Sequence, residues 1–241
     1  MPDIIAIIPA RFDSSRLPGK ALADISGKPL IQHVYEQTAK ASIIQRVAVA
    51  TDDVRIVDAV ESFGGTAVMT SSDHQSGTDR VAEAAEKLGG DIILNVQGDE
   101  PLIEPELIDA VCHKLLNDDG IVCATAASPI RDAQEFADPN AVKVVLDTRG
   151  HALYFSRSPL PCYRDVGFEG AWLHAGIYCF RRDFLMTFPS LSQTPLEKAE
   201  KLEQLRILEH GFEIGVITGN YRSIGVDTPE DLQRVRQMMK S

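Results

Sequence analysis

The sequence predicts an α/β fold: a mostly parallel sheet with helices on both faces and a β-rich excursion inside it. Two observations carry that expectation. Up to Ala126, short apolar runs alternate with amphipathic stretches, the rhythm of βα units in series. From about Ser128 the pattern becomes strand-like runs joined by turns, and a helical pattern returns only at Thr194.

Residues 3–8 are a continuous apolar run, as expected of a parallel strand buried on both faces. Residues 29–41 read as a helix, because the fixed φ of Pro29 suits a first turn. A strand follows over 46–50. Residues 53–63 read as a helix stopped by Gly64 and Gly65, 67–69 as a short strand, and 78–88 as a helix stopped by Gly89 and Gly90. Then come a strand over 92–96, a helix over 105–116 and a strand over 121–126. Inside the excursion, 141–146, 152–156 and 174–180 have strand character. Thr194-Pro195-Leu196-Glu197 is a capping box with proline at the first helical position, opening a helix to about His210. A strand over 213–217 precedes another short one ended by Asp227, after which Thr228 caps a helix with Glu230 and Asp231 in its first turn. One domain over 1–241 is expected, with the β-rich insertion at 128–190.

With 241 residues, 44% hydrophobic and 24% charged, the composition is that of a globular chain with a sizeable core. Its apolar runs fall far short of the ~20 residues a membrane helix needs. The N-terminus lacks the basic flank and cleavage site of a signal peptide, so a soluble cytoplasmic protein is expected. The net charge of −11 would repel a polyanion, which disfavours nucleic acid as a partner. Cys112, Cys123, Cys162 and Cys179 form no C-x-x-C pair, and buried reduced thiols are expected of them.

Against this acidic background, Arg11, Arg16 and Lys20 lie together in the loop that leaves the first strand, where α/β folds gather their ligands. Forked arginine donors and a mobile lysine suit a triphosphate. The loop lacks the three glycines of a dinucleotide fingerprint. Gly27-Lys28 is not a phosphate-binding P-loop either, since Leu22 and Pro29 stand at positions that need Gly and Ser or Thr. Asp99, in Gln97-Gly98-Asp99 at the end of the fourth long strand, is a candidate magnesium ligand, and Asp227 is a second. The polar run from Ser71 to Arg80 offers small donors to a base or ribose. A metal site from Asp73, His74 and Asp79 matches no standard spacing. Arg157, Arg164, His174 and Tyr178 cluster in the excursion and would suit an acidic sugar, whereas Glu203 and Gln204 are also simply good helix formers.

Taken in order, Ile-Pro-Ala-Arg-x-x-Ser-Ser-Arg-Leu-Pro-Gly-Lys from Ile8, Ser-Gly-Thr-Asp-Arg from Ser76 and Asn-Val-Gln-Gly-Asp-Glu-Pro from Asn95 resemble the 3-deoxy-manno-octulosonate (Kdo) cytidylyltransferase family, the CMP-Kdo synthetases. Ala-Leu-Tyr-Phe-Ser-Arg from Ala152, Glu-Gln-Leu-Arg from Glu203 and Gly-Val-Asp-Thr-Pro-Glu-Asp-Leu from Gly225 extend the resemblance to nearly the whole chain. It implies a nucleotidyltransferase, Rossmann-like fold, a homodimer formed largely through the excursion, and transfer of CMP from CTP to Kdo for lipopolysaccharide biosynthesis. Carried over by position, Lys20, Arg16, Asp99 and Asp227 are the catalytic set, and Asp99 and Asp227 hold Mg2+. Pro9, Ala10, Arg11, Ser72, Asp73, Ser76, Gly77, Arg80 and Gln97 complete the nucleotide site. Gln97, Arg157, Arg164, His174, Tyr178, Glu203 and Gln204 line the sugar pocket. The chain departs from the family pattern on the acceptor side, where residues 165–172 are short and Ala175 replaces a larger aliphatic residue. An 8-amino form of Kdo is therefore a second acceptor to test, and sialic acid a more distant one.

Overall fold

The computed structural model describes residues 2–13, 17–74, 76–221 and 224–239. They form two compact units, Met1–Asp109 with Arg222–Ser241, and Ala110–Tyr221. The segment expected as an excursion lies within the second.

The first unit begins with β1 (Ile4–Ala10), followed by the two short strands β2 (Asp24–Ile25) and β3 (Lys28–Pro29). These two form a tight hairpin turned by Ser26 and Gly27, both at positive φ. Next come α1 (Leu30–Thr38), β4 (Arg46–Thr51), α2 (Val54–Ser62), β5 (Ala67–Met69), α3 (Gly77–Leu88), β6 (Ile92–Asn95) and α4 (Pro105–Leu116), which runs on into the second unit. All long strands of this unit are parallel, in the order β6-β1-β4-β5. Ile4, Ile5, Ile7 and Ile8 are each at most 2% exposed, so β1 is covered on both faces, which is why its sequence is apolar without alternation.

The second unit contains β7 (Cys123–Ile130), α5 (Ala133–Ala137), β8 (Lys143–Leu146), β9 (Ala152–Ser156), β10 (Ala171–Arg181), α6 (Arg182–Thr187), α7 (Pro195–Glu200), α8 (Gln204–Glu209) and β11 (Ile214–Thr218). Here β11 runs parallel to β7, whereas the β7–β10, β10–β8 and β8–β9 pairs are antiparallel. The chain closes in the first unit with α9 (Pro229–Met238). The sheet is mostly parallel but mixed and is flanked by helices, as the α/β expectation required.

Three expectations are corrected. The helix proposed over 194–210 is two helices: Lys201, at φ 54, ends α7 in the left-handed region before α8 begins. The buried Glu197–Arg206 pair, with Nη2 2.5 Å from Oε1, fastens the two pieces to each other across the break. Residues 225–227 are not a strand; Val226 N–H donates to Asp99 O at 2.8 Å, and the backbone of Asp227 is taken up by the α9 cap. Cys162 is exposed, although Cys112, Cys123 and Cys179 are buried free thiols as expected. The short helices α5 and α6 carry too few apolar repeats to register in sequence.

Candidate active site

Three local structures bring the catalytic candidates together in the first unit. Gly19 adopts φ 68, a conformation costly for any side-chain-bearing residue, and its N–H donates to Phe12 O at 3.0 Å. That closes the loop after β1 and starts a single 3-10 turn at Lys20. Asp99 follows β6 at its C-terminal end. Asp227 is fixed by the α9 capping box, in which Asp231 Oδ2 accepts from the N–H groups of Asp227 and Thr228. The Val226–Asp99 backbone bond then sets the two carboxylates side by side.

Between them stands Lys20, whose Nζ is 2.7 Å from Asp99 Oδ2 and 3.0 Å from Asp227 Oδ1. Burial alone would lower the lysine's pKa, but the charge of Asp99 and the hydrogen bonds to both carboxylates outweigh it and raise it above its ordinary value. Lys20 is therefore a fixed cation at neutral pH. Around it lies a cleft of about 330 Å³ lined by Pro9, Ala10, Arg11, Asp13, Lys20, Ala21, Gln97, Gly98, Asp99 and Asp227. Its floor is backbone: a Cβ on Gly98 would come within 2.7 Å of Pro9 O, so only glycine lets these two strand ends approach. Arg16 lies outside the described residues.

Other nucleotide-side candidates are distributed around this cleft in different roles. Gly77 opens α3 beside Pro9, where an added Cβ would lie 3.6 Å from the proline ring. Ser76 caps α3, accepting from Asp79 N–H at 3.1 Å. Ser72 and Asp73 are exposed in the turn before it. Arg80 is fully buried; its guanidinium donates to Asp52 at 2.7 Å and to Thr70 at 2.5 Å, tying α3 to the ends of β4 and β5.

The acceptor-side candidates lie in the second unit. His174 and Tyr178 face each other on β10 with ring centroids 5.4 Å apart. Burial pushes the His174 pKa down to about 3, so the ring is neutral. The Thr125 hydroxyl donates to Ile177 O at 2.7 Å and can accept from His174 Nε2 at 3.1 Å, which assigns the proton to Nε2. Burial also raises the Tyr178 hydroxyl well above its usual range. The guanidinium of Arg157 donates to the backbone oxygens of Glu200 at 2.8 Å and Pro139 at 3.0 Å, and Arg164 is exposed. Gln204 is buried, with Nε2 lacking a hydrogen-bond partner, and Glu203 precedes it half-buried. Among the described residues no three His, Cys, Asp or Glu side chains gather as a metal site.

Sequence reasoning missed Asp13, Ala21 and Gly98 as cleft residues. The signal for Gly98 was present, a glycine between polar residues at a strand end.

The cleft lies at the C-terminal ends of parallel strands, where α/β folds bind their ligands, and residues 5–214 match the family described as Cytidylyltransferase, which makes the chain a nucleotidyltransferase. Over 98% of its length the chain is 55% identical to the 3-deoxy-manno-octulosonate cytidylyltransferase of Geotalea uraniireducens, covering 99% of it. It is 54% identical to the protein of the same name from Geobacter sulfurreducens, with 99% and 100% covered. A solved structure of CMP:2-keto-3-deoxy-manno-octonic acid synthetase complexed with CTP superposes with a TM-score of 0.95 at 46% identity, covering 99% of this chain and 98% of that one. The chain belongs to the 3-deoxy-manno-octulosonate cytidylyltransferase family.

Proposed function

We propose that this chain transfers CMP from CTP to Kdo, giving CMP-Kdo and pyrophosphate and so activating Kdo for lipopolysaccharide biosynthesis. The observation that carries this reading is the Lys20–Asp99–Asp227 cluster in a strand-end cleft of a chain with these relatives. A hydroxyl of the sugar attacks the α-phosphorus and gives up its proton to solvent; the new O–P bond forms as the bond to the pyrophosphate oxygen breaks, and pyrophosphate departs. The protein contributes mainly position and charge. Lys20 and Arg11, with Arg16 expected beside them, neutralise the triphosphate, and the glycine floor at Gly98 lets it approach the backbone.

The carboxylates fit magnesium. They are hard oxygen donors, the ammonium of Lys20 lies within 3.0 Å of both, and magnesium completes its shell from substrate phosphate and water. Asp99 and Asp227 would hold it. When bound, it supplies charge neutralisation for the leaving phosphates and a lowered pKa at the attacking hydroxyl.

Cytidine is assigned to the backbone at Pro9 and Ala10, Gln97, and the segment bearing Ser72, Asp73, Ser76, Gly77 and Arg80, with Arg80 acting from a buried position. Kdo is assigned to Gln97, Arg157, Arg164, His174, Tyr178, Glu203 and Gln204. The orphan Nε2 of Gln204 supports this, since a buried donor gains most from a ligand acceptor. A neutral His174 brings no charge, and with its Nε2 proton directed at Thr125 it can offer a sugar hydroxyl only an acceptor at Nδ1. We further propose a homodimer assembled through the second unit, where the edge strand β9 exposes Leu153 at 62%. The reaction is assigned to the cytoplasm, where CTP is made; among the described residues no helix is long and apolar enough to cross a membrane.

The test measures pyrophosphate release with magnesium, each nucleoside triphosphate in turn, and Kdo, 8-amino-Kdo or sialic acid. Release with CTP and Kdo, lost on adding EDTA, is expected; no release with CTP and either Kdo form overturns the assignment. Asp99→Asn should abolish turnover with an unchanged circular dichroism spectrum. Near-normal turnover would remove Asp99 from the metal site. Light scattering should give about twice the chain mass of 26.4 kDa.

A further inference from the structure

Outside the cleft, one carboxylate gathers the segment that leads into α3. Glu83, on α3, is itself no part of the cleft lining. Its Oε2 accepts from Ser71 N–H at 2.8 Å and faces His74 Nε2 at 2.5 Å. Its Oε1 accepts from Lys87 Nζ at 2.6 Å, and the same ammonium donates to Met69 O at 2.7 Å. Three points from the end of β5 onward, Met69, Ser71 and His74, are thus fastened to α3.

The far side of that segment reaches the cleft. Arg11 Nη2 donates to His74 O at 2.5 Å, and Arg11 lines the cleft with Pro9, Lys20, Gln97 and Asp99. An exposed arginine has many rotamers, and a fixed carbonyl acceptor removes most of them. That acceptor is fixed only as far as His74 is, and His74 is held by Glu83.

We infer that Glu83 is a positioning residue for CTP binding, aiming the Arg11 guanidinium into the cleft through the Ser71–His74 segment it anchors. The inference rests on the CTP reading above. The carboxylate is built to stay charged: burial would raise its pKa, but hydrogen bonds from Lys87, the Ser71 N–H and His74 outweigh that and hold it at about 2. Losing it frees the segment without removing any group from the cleft. A triphosphate contact made before and during transfer acts on binding rather than on the chemical step. The effect should therefore fall on the KM for CTP and leave kcat and the KM for the sugar nearly unmoved.

The experiment measures CTP binding by calorimetry and steady-state kinetics for wild type, Glu83→Gln, Glu83→Ala, Arg11→Ala and the Glu83→Ala/Arg11→Ala double variant. Glu83→Gln nearly preserves shape, so it carries the test should Glu83→Ala fail to fold. Glu83→Gln should weaken CTP binding and raise its KM roughly tenfold, the scale of one charge-assisted hydrogen bond. The double variant should bind CTP no worse than Arg11→Ala alone, since both changes remove one device. Additive losses in the double variant, or a Glu83→Gln that loses thermal stability but binds CTP like wild type, would overturn the inference and leave the CTP reading intact. Wild type that binds no CTP would overturn both.

Discussion

Lys20 and Asp99, 79 positions apart in the chain, meet as a part-buried ion pair with Nζ 2.7 Å from Oδ2. The ammonium also reaches Asp227, so it is the shared counter-charge that lets the two carboxylates stand side by side.

Replacing it removes a preorganised cation from the reacting centre. Lys20→Met should lower kcat/KM for CTP on the order of 10²–10³-fold, the usual cost of one electrostatic contact of this kind. Pyrophosphate release measures the loss, and a fall of less than threefold would exclude Lys20 from transition-state stabilisation.

Gly98→Ala places a Cβ 2.7 Å from Pro9 O, and that backbone carbonyl cannot yield cheaply. The strand ends must part, and a displacement of about 1 Å at the cleft floor is expected to cost on the order of 10²-fold in turnover. Kinetics beside a thermal melt check this; wild-type turnover would show that the floor has slack.

Arg80 is a stability prediction with a functional consequence. Arg80→Met removes a fully buried guanidinium and leaves Asp52, with a side chain 19% exposed, without its partner. On the order of 3 kcal/mol should be lost, read from the urea midpoint. A loss under 1 kcal/mol would mean that Asp52 finds water.

His174 sets a pH dependence. Its native pKa, near 3, lies below the ordinary histidine value of 6.5 because burial penalises the charged ring, so the unfolded chain binds the extra proton first as pH falls. Stability contributed by the neutral ring is complete above 6.5 and is lost progressively down to about 3. His174→Gln, which can keep a donor for Thr125, should flatten the acid limb of the stability–pH curve over that window. An unchanged limb would assign the acid sensitivity elsewhere.

Much of this was legible in the amino-acid sequence. The unbroken apolar run of β1 and the glycine-stopped helices α2 and α3 follow from backbone chemistry that acts over a few residues. The concentration of Arg11, Arg16 and Lys20 in an acidic chain pointed to the strand-end loop whose Arg11 and Lys20 line the cleft. The break at Lys201 was invisible, because the apolar period runs through it and only the Glu197–Arg206 pair, formed in three dimensions, lets two short helices satisfy it.

The sequence by itself determined most of the element order, the loop whose Arg11 and Lys20 line the cleft, and Asp99 and Asp227 as the carboxylates there. Only the tertiary structure decided that Lys20 stands between Asp99 and Asp227, that Arg80 is buried bracing while Arg11 lines the cleft, and that Glu83 ties Ser71 and His74 to α3. The reason is physical: charge and propensity are properties of a residue and its neighbours in the chain, whereas an ion pair across 79 or 207 positions exists only once packing has closed the intervening loop.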